Sequence, residues 1–137
     1  MPDNGLVTLQ SAHDFATTVD QLVTAVEEKS ITIFTRIDHA ANAVSVGLAL
    51  RPTTLVIFGN AAAGTPLMEA AQTAGIDLPL KVLIWQDADG SVKLTYNDPA
   101  WIAARHKLGN ETDQAVKAMT AALDSLARRG AGNQRQA

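Results

Sequence analysis

This 137-residue sequence predicts an α+β domain: a mixed, mostly antiparallel sheet of four to five strands with two long helices on one face. Three observations carry that expectation. Phe15, Val19, Leu22 and Val26, and later Val116, Met119, Leu123 and Leu126, recur at spacings of three and four and form two apolar helix stripes. Runs rich in β-branched and aromatic residues supply the strands. Asp87-Ala-Asp-Gly90 joins two such runs with turn chemistry, and a hairpin there breaks the regular alternation of parallel strand–helix units.

Val7–Gln10 is the first strand segment. Ser11 then reads as an N-cap, with Asp14 as its capping-box partner, and opens a helix running to about Lys29. Ile31, Ile33, Thr35 and Ile37 alternate with Thr32, Phe34 and Arg36, which predicts a strand ending near Asp38. His39 to Gly47 suits a short helix, while Val44 to Leu50 also suits extended chain. Pro52 biases Arg51 away from helix and opens a strand, Thr53 to Phe58. Its unbroken apolar run predicts cover on both faces.

After a glycine-bounded loop, Thr65 caps and Pro66 begins a short helix that Gly75 ends. Leu80–Trp85 and Val92–Tyr96 make the hairpin. Asp98-Pro99 repeats the cap-then-proline pattern for a helix to about Lys107, and Asn110 caps the last long helix. The reading gives one domain over residues 1–129 and a flexible polar tail over 130–137.

Composition bounds the function. Apolar residues make up 47% and charged residues 18%, which is globular, and zero cysteines exclude disulfides and thiolate chemistry. A net charge of −3 and 4% aromatics argue against a nucleic-acid face. Arg128 and Arg129 read as last-turn helix cations. Met1–Leu6 has no signal-peptide pattern and Ala40–Leu50 is too short to span a bilayer, so a cytoplasmic chain without membrane partners is expected.

Gly59-Asn-Ala-Ala-Ala-Gly64-Thr65 has the glycine spacing of a phosphate-binding loop, but Thr65 and Pro66 stand where lysine and a hydroxyl residue are required. Nucleotide hydrolysis is therefore set aside, and the loop is kept as a weaker polar or anionic site. Among the histidines, His13 belongs on the surface. His39 follows Asp38 at a strand end, and His106 ends a short helix; with Asp38 and Asp98 they are candidates for an acid–base or metal site, His and carboxylate being suitable ligands for zinc or iron. No spacing forces them together, so no metal site is called.

Arg36-Ile-Asp-His-Ala-Ala41, Leu50-Arg-Pro-Thr53, Phe58-Gly-Asn-Ala-Ala-Ala-Gly-Thr-Pro-Leu-Met68, Asp77-Leu-Pro-Leu80 and Leu94-Thr-Tyr-Asn-Asp-Pro99 together resemble the signature blocks of the bacterial and archaeal domain-of-unknown-function family 302. The likeness runs from about Leu6 to Leu126, with Ala61 where the family commonly places proline. It implies a TATA-binding-protein-like α+β fold and a homodimer; it carries no established activity and transfers no catalytic residues, and the cofactor is left unknown. The reading that follows is a homodimeric module binding a small polar or anionic ligand through Gly59, Asn60, Gly64, Thr65 and Asn97. The alternatives are an enzyme using Asp38, His39, Asp98 and His106, and a purely structural assembly domain.

Overall fold

The computed structural model describes residues 4–133. Its strands are β1 (Leu6–Gln10), β2 (Thr32–Asp38), β3 (Thr53–Gly59), β4 (Leu80–Gln86) and β5 (Val92–Asn97); its α-helices are α1 (Phe15–Glu28), α2 (His39–Ser45), α3 (Ala61–Ala70), α4 (Pro99–Arg105) and α5 (Asp113–Ala131). The five strands form one sheet in the order β1-β5-β4-β3-β2. The expected α+β sheet of four to five mostly antiparallel strands is present, and every pairing in it is antiparallel. The α1 connection carries the chain from one edge of the sheet to the other, and four strands then meander back.

One register of each central strand makes the core. Val56 and Phe58 of β3, Val82 and Ile84 of β4, and Leu94 of β5 meet Leu22 and Val26 of α1 and Leu123 and Leu126 of α5, all nearly or fully buried. The opposite register, with Leu55, Ile57, Leu83 and Trp85, is only half-buried. The uninterrupted apolar run of β3 therefore does not mean two covered faces within one chain.

Capping decides the helix starts. Asp14, not Ser11, caps α1, accepting the Thr17 N–H at 2.8 Å. The Thr17 N–H and then its hydroxyl hold the Asp14 carboxyl below its ordinary value. Ser11 instead bonds the hydroxyl of buried Thr18 at 2.6 Å. Asp38 and Asp98 cap α2 and α4 by accepting the N–H of Ala41 and Ala100. The stretch His39–Ser45 is helical and a turn follows at Val46 and Gly47, so the extended option for Val44 does not occur.

Two other boundaries differ from the sequence reading. A 3-10 turn at Asn110–Thr112 precedes α5, and α5 continues through Gly130 and Ala131, both buried. A tail starting at residue 130 is thus corrected; Gly132, with φ of 73°, ends the helix. Residues 134–137 of the expected tail lie outside the described residues.

Candidate functional site

Gly59 closes β3 with φ of 154°, and Asn60 turns the chain into α3. The Asn60 side chain accepts the Ala63 N–H at 2.7 Å. This N-cap and the three alanines that follow, the best helix formers, start α3 at Ala61. The expected start at Pro66 is corrected: Gly64, Thr65 and Pro66 lie inside the helix, where Pro66 offers no N–H to the Ala62 carbonyl. Gly75 does not end it either; it sits in a 3-10 turn, Gln72–Ile76, that follows.

This junction borders a cleft of about 350 Å³. Gly59, Asn60, Gly64 and Thr65 all line it, and Met68, Leu78, Pro79, Leu80 and Met119 make its walls. A second hollow of about 450 Å³ adjoins it, sharing Gly59, Asn60, Ala63, Leu80 and Met119 and extending along α5. Carbon dominates both linings. Of the first-turn amides, those of Ala63 and Gly64 are already bonded to Asn60. The loop expected to meet a small polar or anionic ligand thus borders an apolar cleft with polar groups at its mouth.

Phe34 also lines the cleft, and sequence reasoning passed over it. Register shifts between Ile33 and Thr35 of edge strand β2, leaving Phe34 as the extra residue of a bulge, 53% exposed. The available signal was one aromatic in the otherwise polar register of β2. On the other wall, Lys81 donates to the carbonyls of Asp77 (3.2 Å) and Pro79 (3.0 Å), tying down the segment that carries Leu78. Burial pulls the Lys81 ammonium below its ordinary value, while the Asp77 charge opposes this.

Asn97 does not share the cleft. It ends β5, on the strand next to β4, beside Asp77, Lys81 and Ile102 in a separate crevice with no room for water, and Leu80 lines both hollows. His39 is exposed at the start of α2, and among the described residues no side-chain hydrogen bond or ion pair includes it. Asp38 and Asp98 are occupied as caps. His106 does meet a carboxylate, but that of Asp77, which the sequence reading did not select. The proposed His39–His106 constellation with Asp38 and Asp98 is thus not assembled. Among the described residues no three His, Cys, Asp or Glu side chains converge as a metal site would require.

A family model described as "Domain of unknown function DUF302" matches residues 7–126. The crystal structure of an uncharacterized conserved DUF302 protein from Bacillus stearothermophilus has the same fold, with a TM-score of 0.80 at 13% identity, covering 91% of this chain and 97% of that one. Curated relatives include the fluoride-specific ion channel FluC 1 of Brucella suis biovar 1, 45% identical over 131 residues, which is 96% of this chain but 52% of that protein. FluC 1 of Brucella abortus biovar 1 is likewise 45% identical, with 48% of its length matched. This chain spans about half the length of the curated relatives it matches.

Proposed function

We propose that this chain, which belongs to the DUF302 family, is a binding module for a small amphipathic ligand held in the cleft beside Gly59–Thr65. The observation that carries the reading is the combination of walls and mouth. Phe34, Met68, Leu78 and Met119 offer an apolar bed, while Asn60 and Thr65 stand at the rim where a polar or anionic head can be met. A cleft of about 350 Å³ suits a molecule with a short chain or a ring system.

Gly64 supplies the test. A Cβ there would stand 3.7 Å from Leu78 Cδ1 and 3.8 Å from Met68 Cε, which are ordinary contacts, so a longer side chain grows into the cleft without straining α3. Leucine is also the better helix former by roughly 1 kcal/mol. Gly64→Leu is expected to stay folded and to abolish saturable binding of anilinonaphthalene sulfonate, a probe with an apolar body and one anionic head. Equal titration curves for parent and variant would remove the proposal.

The module is further proposed to work as a homodimer that pairs the half-buried face of its sheet with a second copy. Leu55, Ile57, Leu83 and Trp85 share that register with Thr35, Thr53 and Thr95. No carboxylate falls among its paired residues on β2 to β4, and both of its lysines are engaged, Lys93 by Asp87 at 2.8 Å and Lys81, opposite Ile57, by the carbonyls of Asp77 and Pro79. Two such faces meeting symmetrically would bury little unpaired charge. Native mass spectrometry should show the mass of two chains; a monomer at micromolar concentration would count against it. Fluoride permeation, named for the Brucella relatives, is not carried over. This chain matches only about half of the length of those proteins, and among the described residues no helix is long and apolar enough to cross a membrane.

A further inference from the structure

His106 follows the last residue of α4 and sits against the 3-10 turn Gln72–Ile76. Its Nε2 lies 2.6 Å from Asp77 Oδ2, and its Nδ1 lies 2.9 Å from Thr73 Oγ1. An ionised carboxylate only accepts hydrogen bonds, so in the neutral imidazole Nε2 carries the proton and Nδ1 keeps its lone pair. That makes the Thr73 hydroxyl the donor to Nδ1. Arg105 Nη1 donates to both oxygens of Asp77, at 3.1 and 3.3 Å, and fixes the carboxylate.

Exposure sorts the three groups by role. The His106 and Asp77 side chains are 7% and 11% exposed, whereas Thr73 is open to solvent. A shielded base held by a shielded carboxylate, with an accessible hydroxyl on the remaining nitrogen, is the geometry of an activated nucleophile. The two ring nitrogens are used in the opposite sense to the serine-protease triad, but the roles follow from geometry and not from which nitrogen fills them.

We propose that Thr73 is an acyl-accepting nucleophile, with His106 as its general base and Asp77 as the residue that positions the base. The substrate class is a small activated acyl ester, approaching from solvent outside the Asn60 cleft. Thr73 Oγ1 attacks the carbonyl carbon and its proton passes to His106 Nδ1. The bond to the leaving alcohol then breaks, the alcohol takes that proton, and the acyl group remains as an ester on Thr73. Water, deprotonated by Nδ1, attacks the acyl carbon; the carboxylic acid departs and the Thr73 hydroxyl is restored.

The probe is p-nitrophenyl acetate with the full chain at neutral pH, followed by nitrophenolate release and by peptide mapping of the acetyl group. The parent, quenched with acid during turnover, should carry acetyl on Thr73. Thr73→Val should lose the label, Thr73→Ser should keep it, and His106→Gln should slow nitrophenolate release by about 100-fold or more. Thr73 is exposed, so its two variants are expected to fold as the parent does, which circular dichroism checks. Acetyl found only on lysines, or labelling of Thr73 that is unchanged in His106→Gln, would overturn the proposal and leave the cluster a brace between the turn and α4.

Discussion

Phe58→Ala is expected to lower the unfolding free energy by about 3–5 kcal/mol, a large share of the 5–15 kcal/mol typical of a domain. Phe58 is 1% exposed and ranks among the largest fully buried side chains of the molecule. It pairs across the sheet with Ile33 on one side and Leu80 on the other, so its ring bridges β2, β3 and β4. Truncation forfeits its transfer free energy and leaves a void that antiparallel neighbours on both sides hold open. Urea titration should show a lower midpoint with the slope unchanged, since the folded surface is nearly the same. A loss below about 1 kcal/mol would mean that the site collapses freely, and the packing described here would be wrong. The variant also separates core from interface: a purely structural assembly role for Phe58 predicts dissociation with the monomer intact, whereas its burial within one chain predicts unfolding.

Periodicity made the framework legible. The stripes Phe15–Val26 and Val116–Leu126 became α1 and α5, and Asp87–Gly90 became the hairpin turn between β4 and β5, with Gly90 at φ of 89°. These signals are local, repeated and redundant. Single-residue signals served less well where two competed: Pro66 marks a favoured helix start, yet Asn60 and three alanines started α3 earlier. The site was legible only as far as it lay in one segment. Gly59, Asn60, Gly64 and Thr65 are close in sequence, but the walls come from Phe34, Leu78 and Met119, brought in by a bulge, a loop and another helix. The Asp77–His106 contact spans 29 residues with no motif linking them, and only the docking of α4 on the 3-10 turn creates it. Asp98, the nearer carboxylate in sequence, was already committed to capping α4.

Gly130→Val should destabilise the domain by about 1–3 kcal/mol, although the sequence alone places this glycine in a frayed tail. Gly130 is buried in the last turn of α5, where α5 crosses α1. A Cβ there would lie 3.0 Å from Leu94 Cδ2, 3.2 Å from Leu22 Cβ and 3.5 Å from Leu22 Cα. The Leu94 methyl can rotate aside; the Leu22 atoms belong to the rigid stem of α1 and can yield only if the helices part. Two effects therefore oppose one another. Any side chain gains helix propensity over glycine, up to roughly 1 kcal/mol for alanine and less for β-branched valine. Overpacking opposes that gain, and it grows with each added methyl. Gly130→Ala is expected to come out near balance, and Gly130→Val clearly on the losing side. Thermal unfolding of the pair checks this, at roughly 2–8 °C per kcal/mol for domains of this size range. If both variants melt with the parent, α5 does not press on α1 at residue 130, and the tail begins where periodicity alone would have it.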